Sequence, residues 1–234
     1  MRLMTKKAPI ALALDAPDLN VMKDWIEKTS PYLECMKVGL EAFLRDARLA
    51  TLAVRQLAPE AKLFLDLKLH DIPQTVENAA KSLKDIAPEY LTVHASGGPE
   101  MINRAAKALP DTKIVAVTIL TSLEVSDLAP FGVTDVLAVV TKLAKQSVDA
   151  GAQAIVSSPL EVSAIRAAVG SDVTLITPGV RFEKSDSTDQ KRVLTPEEAI
   201  KAGSDLLVVG RPITAKGDVG KNAQEIAHKV NQIL

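Results

Sequence analysis

A short apolar segment of this sequence, FLDLKLHDIPQTV at residues 64–76, contains three charged residues that could do chemistry. Asp66 and Lys68 are two positions apart, so on an extended strand both side chains point to the same face. Asp71 follows shortly afterwards. An isolated charge is costly to bury, so each of these groups requires an oppositely charged partner. The spacing therefore predicts a cluster of paired charges at a functional site, with a structural ion-pair network as the alternative.

Three kinds of chemistry use a lysine that lies between two carboxylates. A Schiff base needs the neutral amine, and flanking carboxylates favour the charged ammonium instead, which argues against it. Asp66 and Asp71 could bind Mg²⁺, but Lys68 would compete with the metal for the same oxygens, so this use is possible without being preferred. A lysine that its neighbours keep charged is a suitable acid for a strong base such as a carbanion. Proton donation by Lys68 therefore fits the segment best.

Short apolar runs alternate with longer amphipathic segments along the chain. The runs are nearly continuous in apolar residues, as expected of parallel strands covered on both faces. Eight such units in 234 residues predict an α/β protein, a single-domain (β/α)8 TIM barrel over residues 1–234. An open doubly wound sheet is the alternative, but the G-x-G-x-x-G fingerprint is absent after the first run. The predicted strands are 10–15, 35–39, 62–69, 90–95, 114–120, 154–158, 174–179 and 206–210.

The predicted strand ends carry most of the polar residues that this fold could use. In a barrel enzyme the chemistry lies at the C-terminal ends of the strands. Lys37 ends the strand next to that of Asp66 and Lys68. We therefore expect the charges to alternate along a chain that faces the barrel axis, in the order Lys37, Asp66, Lys68 and Asp71. Further candidate residues at these ends are Asp15, Thr121, Ser122, Arg181, Gly210 and Arg211.

The residues at the ends of the last two predicted strands are typical of an anion-binding site. Loops after strands seven and eight of barrels commonly bind phosphate. Gly210 permits close approach of backbone N–H groups, Arg211 is a bidentate donor, and Pro212 suits the first turn of a helix. Residues 179–196, which include Arg181, are long, polar and without a clear pattern, which is typical of an active-site lid. The simpler interpretation is that Gly210 only turns the chain and Arg211 is solvated.

Composition argues against several other classes of protein. Net charge is −1, and no basic block indicates a nucleic-acid partner. No apolar run is long enough for a membrane span, and residues 1–15 fit a first barrel strand better than a signal peptide. Cys35 is the one cysteine, so no intrachain disulfide is possible. We expect a cytoplasmic protein.

The segment DLKLHDIPQT resembles the signature of the orotidine 5′-phosphate decarboxylase family, and its continuation through Ile72, Pro73 and Thr75 is the most specific part. Other stretches share the resemblance, in the order in which the family has them and over nearly the whole chain. They are ALD at Asp15, KVG at Lys37, LTS at Thr121, PGVR from Pro178 to Arg181, Gln190, and VVGR at Gly210 and Arg211.

The resemblance implies decarboxylation of orotidine 5′-monophosphate to UMP and CO2, with no metal and no cofactor. It implies that Lys68 donates the proton to the pyrimidine carbon that loses CO2, within a network of Lys37, Asp66 and Asp71. It also implies a homodimer, in which Asp71, Ile72 and Thr75 reach the partner's site. Asp15 and Lys37 would contact the ribose, Thr121 and Ser122 the base, and Pro178, Arg181, Gln190, Gly210 and Arg211 would surround the phosphate, with Gln190 bridging toward the base.

Two alternatives remain beside this interpretation. Sugar-phosphate decarboxylases and hexulose-phosphate synthases share Asp-x-Lys-x-x-Asp and use Mg²⁺, but Ile72 to Thr75 favours the pyrimidine enzyme. A phosphoribosyl-binding protein without catalysis would be expected to lack a network charge or the lid, and all are present. We expect His70 to be structural because it points away from Asp71 on a continued strand, and the role of His94 stays open.

Overall fold

Eight parallel strands close into a barrel in the computed structural model, which describes residues 6–180 and 194–234. Strands that follow one another in the sequence are neighbours in the barrel, and the first strand pairs with the last to close it. The predicted (β/α)8 barrel is thereby confirmed. The strands are β1 (Ala8–Ala13), β2 (Leu33–Gly39), β3 (Lys62–Leu69), β4 (Tyr90–His94), β5 (Lys113–Val117), β6 (Ala154–Val156), β7 (Thr174–Thr177) and β8 (Leu206–Val209).

Helices connect successive strands. None of the helices in the described ranges is long and apolar enough to cross a membrane. The α-helices are α1 (Leu19–Thr29), α2 (Leu40–Asp46), α3 (Arg48–Leu57), α4 (Pro73–Lys81), α5 (Pro99–Ala108), α6 (Val125–Leu128), α7 (Val136–Asp149), α8 (Val162–Val169), α9 (Pro196–Lys201), α10 (Arg211–Thr214) and α11 (Val219–Asn231). Short 3₁₀ turns occur at Ala95–Gly97, Ala129–Phe131 and Pro159–Glu161.

The apolar residues form two separate cores. The larger core lies between the strands and the surrounding helices. The smaller core takes one residue from each strand and fills the barrel interior, and its members are Ala11, Cys35, Phe64, Tyr90, Val115, Ala154, Ile176 and Leu206. Burial raises the pKa of the Cys35 thiol, so this residue packs as a small apolar group. Because strand residues are buried on both faces, the strands read as continuous apolar runs.

The strand bounds differ from the predicted ones mainly at the ends. β3 has the predicted bounds, but β5 ends at Val117 instead of residue 120. Ile119 lies beyond that end and is still buried, which explains why the apolar pattern suggested a longer strand. β1 ends at Ala13 and β7 at Thr177, so Asp15 and Pro178 follow their strands as loop residues.

The predicted lid at 179–196 falls mostly on residues 181–193, which lie outside the described residues. Its two ends are described. Gly179 has a φ of 77°, a conformation that glycine adopts at no steric cost, and Val180 forms a β-bridge with Leu194. Thr195 then caps α9 through a capping box with Glu198.

Candidate active site

A cavity of about 290 Å³ opens at the C-terminal end of the barrel strands. It is lined by residues from nearly every strand end, so the fold alone brings together side chains that are far apart in the sequence. The polar residues and glycines that line it are Asp15, Lys37, Asp66, Lys68, Thr121, Gly179, Gly210 and Arg211. Pro178 and Pro212 also line the cavity, while Ser122 is exposed and is not one of the lining residues.

Asp66 is the centre of a charged cluster in this cavity. Lys68 Nζ lies 2.8 Å from Asp66 Oδ1, and Lys37 Nζ lies 3.2 Å from Asp66 Oδ2. Only 15% of the Asp66 side chain is exposed. Burial alone would raise the pKa of Asp66, but the ammonium groups of Lys37 and Lys68 outweigh it and hold that pKa below its usual value. Two ammonium groups therefore face the cavity and share one ionised carboxylate.

Lys68 reaches this position through an irregular stretch of β3. In the pairing of β3 with β4, Leu65 is opposite Leu91 and Leu69 is opposite Val93. Four steps along β3 therefore correspond to two steps along β4, and the ladder is interrupted between them. Within this stretch Lys68 has a φ of 49°, which costs a residue other than glycine about 1–3 kcal/mol. Asp66 and Lys68 share the cavity as predicted, but a bulge rather than simple alternation places them there.

Asp71 lies apart from the other charges of the predicted network. It is exposed, and its carboxylate accepts a hydrogen bond from the N–H of Ile72 at 2.7 Å. Among the contacts of the described residues there is no ion pair between Asp71 and Lys68. Ile72 and Thr75 are also exposed, at the start of α4. Within one chain, the cluster thus joins three of the four predicted charges.

Gly39, which sequence reasoning did not select, makes room for the cluster. It ends β2 and is paired with Asp66 across the sheet. A Cβ at this position would lie 3.0 Å from Lys37 Nζ and 3.1 Å from Asp15 Oδ1. Only a residue without a side chain lets both groups occupy this space unmoved. A glycine at the end of an apolar strand is the sequence signal that could have identified it.

Thr92 is a second residue that sequence reasoning missed. It lies on β4, is fully buried, and its hydroxyl contacts both Lys68 and Asp66. A threonine in an apolar strand is ordinary because β-branched residues favour strands, so the sequence alone carried no signal for this contact.

The candidate phosphate side of the cavity is formed by the ends of β7 and β8. Gly210 precedes α10 as its N-cap, and a Cβ at this position would lie in van der Waals contact with Ala13 Cβ, at 3.4 Å. Arg211 and Pro212 occupy the first turn of α10, as predicted for Pro212. The predicted phosphate contacts Arg181 and Gln190 lie outside the described residues.

Two histidines lie close to the cluster without lining the cavity. The ring centroids of His70 and His94 are 5.2 Å apart, and His70 Nε2 lies 3.4 Å from Ser96 Oγ. Burial, and then the proximity of His70 and Lys68, lower the pKa of His94, which favours its neutral ring. His70 is exposed, and its structural role stays a prediction.

A metal ion would have to compete with the lysines for Asp66. In the described ranges no group of three or more histidine, cysteine and acidic side chains is arranged to hold a metal. Each oxygen of Asp66 already lies within 3.2 Å of an ammonium group. Coordination by this carboxylate would displace Lys37 or Lys68.

Known proteins with similar sequences share one name. A relative from Thermobifida fusca (strain YX), named orotidine 5′-phosphate decarboxylase, is 50% identical over 226 residues, which cover 96% of this chain and 97% of the relative. A relative of the same name from Frankia casuarinae is 44% identical over 94% of this chain and 87% of its own length.

A solved structure and a family model agree with these relatives. The crystal structure of orotidine 5′-phosphate decarboxylase from Lactobacillus acidophilus superposes with a TM-score of 0.81 at 33% identity, over 96% of this chain and 99% of that one. The model of the orotidine 5′-phosphate decarboxylase / HUMPS family matches residues 8–226. The chain therefore belongs to the orotidine 5′-phosphate decarboxylase / HUMPS family.

Proposed function

We propose that this carboxy-lyase converts orotidine 5′-monophosphate to UMP and CO2 without metal or cofactor, and that Lys68 donates the proton. The observation that carries the proposal is the pair of ammonium groups, Lys37 and Lys68, held on one largely buried carboxylate in the barrel cavity. Its substrate follows the names of relatives that are 40–50% identical over most of the chain.

The chemistry requires fixed positive charge. Loss of CO2 from a pyrimidine carbon leaves an electron pair that has no obvious place to delocalise, so its stabilisation must come from nearby charges. The ammonium of Lys68 is preorganised by its contact with Asp66 and can lie where this negative charge develops. Transfer of one proton from Lys68 Nζ to the carbon completes UMP, and the neutral amine then regains a proton from solvent.

The other residues of the cavity bind the ribose, the base and the phosphate of the substrate in this proposal. In this proposal Asp15 and Lys37 bind the ribose hydroxyls, and Thr121 and Ser122 lie near the base. The phosphate lies against Pro178, Gly210 and Arg211, with Arg181 and Gln190 contributed by the segment outside the described residues. Because the phosphate is remote from the bond that breaks, its binding energy can assist the chemical step through closure of the predicted lid.

A homodimer completes the site in this proposal. Asp71, Ile72 and Thr75 are exposed at the start of α4, and 66% of the Ile72 side chain is accessible in one chain. In the described contacts of a single chain, Lys68 has one carboxylate partner and is 29% exposed. The partner's copy of Asp71 would provide the second carboxylate. The homodimer and a cytoplasmic location are predictions of the proposed function.

The test is the loss of orotidine monophosphate absorbance with the wild type and with Lys68→Ala. We expect the variant to fold and bind UMP while its turnover falls by orders of magnitude. Lys62→Ala is the matched control, because Lys62 lies on the same strand in an ion pair at the opposite end of the barrel. Near-normal turnover by Lys68→Ala would refute the proton-donor role. Wild-type activity should survive EDTA, and its loss would favour the Mg²⁺-dependent chemistry of the sugar-phosphate enzymes.

A further inference from the structure

The backbone of Lys68 lacks the regular support that other strand residues have. It lies in the stretch where four steps along β3 correspond to two along β4, so the ladder is interrupted around it. Its φ of 49° is unfavourable for a residue with a side chain. A conformation of this kind persists only when the surrounding structure holds it in place. Some neighbouring group must therefore hold Lys68.

The hydroxyl of Thr92 is that group. The N–H of Lys68 donates to Thr92 Oγ1 at 2.8 Å, and Thr92 Oγ1 donates to Asp66 Oδ1 at 3.1 Å. The same Asp66 oxygen accepts from Lys68 Nζ at 2.8 Å. These contacts form a closed ring that connects the backbone nitrogen of Lys68 to its own ammonium group through Thr92 and Asp66.

The Thr92 hydroxyl in this ring is shielded from water. Thr92 has no exposed surface, and a threonine hydroxyl has one proton to donate and lone pairs to accept. The hydroxyl uses its proton as a donor to Asp66 and a lone pair as the acceptor for the N–H of Lys68, so it acts as both donor and acceptor. Loss of this buried hydroxyl would leave the N–H of Lys68 without its acceptor and would remove one hydrogen bond to Asp66.

We infer that Thr92 is a positioning residue for the proton donor, because its hydroxyl fixes both the backbone bulge and the ammonium group of Lys68. This inference rests on the proposed function of Lys68. Thr92 has no contact with the cavity, so it acts only through Lys68 and Asp66. Displacement of a reacting group by about 1 Å can reduce a rate by about a hundredfold, so a small shift of the bulge is sufficient to slow the reaction.

Two substitutions separate the hydroxyl from the shape of the side chain. Thr92→Val keeps the branched shape and removes the hydroxyl, and Thr92→Ser keeps the hydroxyl. We expect kcat for orotidine monophosphate to fall at least about tenfold in Thr92→Val, with the Kd for UMP changed less than about threefold. Thr92→Ser should retain kcat within about threefold of wild type, because the hydroxyl can still bridge the two groups.

Thr112→Val is the matched control for lost stability. Thr112 is also buried, and its hydroxyl donates to Pro88 O at 2.7 Å, away from the cavity. It should lose thermal stability while its kcat stays at the wild-type value. Equal effects on kcat in Thr92→Val and Thr112→Val, or no rescue by serine, would overturn the inference.

A crystal structure of Thr92→Val tests the same inference without substrate. We expect Lys68 to leave its positive φ or its ammonium to leave Asp66. Retention of both would overturn the inference, whatever the kinetics. If the wild type failed to turn over orotidine monophosphate, the proposed function would be wrong. The geometry of Lys68 in the crystal structure of Thr92→Val would still show whether Thr92 positions it.

Discussion

The two ends of strand β3 carry similar residues in different surroundings. At its start, Lys62 forms an ion pair with Glu34, and 43% and 33% of these side chains are exposed. Near its end, Lys68 pairs with Asp66, which a second lysine also contacts and which is 15% exposed. A solvated pair stabilises a protein by about 0–1 kcal/mol, because water competes for both charges. The buried cluster holds two ammonium groups on one carboxylate and directs them into a cavity.

Backbone strain shows the same contrast. Among the described residues other than glycine, Ala47, Lys68 and Ala87 have positive φ. Ala47 is exposed at the junction of α2 and α3, away from the cavity. Lys68 is inside a strand and is held by partly buried hydrogen bonds. Residue types alone therefore do not distinguish the two ends of β3, whereas the shared counter-charge and the supported strained backbone do.

The largest expected effect comes from removal of the shared carboxylate. Asp66→Asn would leave Lys37 and Lys68 without their counter-charge, so we expect turnover to fall by at least about a hundredfold. The free energy of unfolding should fall by about 3 kcal/mol, as for other broken buried pairs. Kinetics and urea denaturation measure the two effects. Glu34→Gln at the other end should change the free energy of unfolding by less than about 1 kcal/mol and leave turnover intact. Similar effects at both ends would remove the contrast.

A smaller effect is expected from added volume beside the cluster. Gly39→Ala places a methyl group 3.0 Å from Lys37 Nζ, so the ammonium must shift within the cavity. We expect kcat/KM to fall about tenfold with little change in thermal stability. Val38→Ala is the neighbouring control. Val38 is buried in the larger core, between the strands and the surrounding helices, so its truncation should cost about 2 kcal/mol of stability without an effect on KM. Unchanged kinetics in Gly39→Ala would show that the cluster tolerates movement.

The pH dependence of stability tests the charge state of Asp66. The folded-state pKa of Asp66 is lowered, so its ionised form stabilises the fold above the unfolded pKa of about 4. This stabilisation is lost as the pH falls through the lower folded pKa. The difference in unfolding free energy between wild type and Asp66→Asn should therefore be constant from pH 7 to about 5 and shrink below about 4. A difference that stays the same down to pH 3 would contradict the assigned charge state.

The smallest effect is expected where strain has no function. Ala47→Gly relieves the positive φ of an exposed residue, so we expect a gain of about 1 kcal/mol in unfolding free energy and unchanged turnover. Lys68→Gly relieves a similar strain and should abolish turnover. A loss of stability in Ala47→Gly would mean that the entropy of the unfolded glycine chain outweighs the relieved strain.

Much of the fold was predictable because its signals are local. Apolar runs and amphipathic segments alternate along the chain, and burial on both strand faces requires that pattern. The cluster of Lys37, Asp66 and Lys68 was predictable for a related reason, since charges within apolar strands require partners and barrel strands meet at one end. Gly210 and Arg211 were selected by residue type and by their position after the last strand.

Other features depended on contacts between distant parts of the chain. The end of β5 at Val117 could not be predicted, because Ile119 stays buried beyond the end of the strand. The separation of Asp71 from Lys68 depends on the direction in which the chain leaves β3.

The sequence by itself determined the barrel and the residue types at its mouth, because hydrophobic periodicity and the cost of buried charge act through composition and spacing. The tertiary structure alone decided the register of β3 against β4, and with it the bulge at Lys68 and the contacts of Thr92. The register of β2 against β3 placed Gly39 beside Asp66. Register is set by the pairing of strands, and a shift of one residue is invisible in either strand alone but reverses which side chains face the cavity.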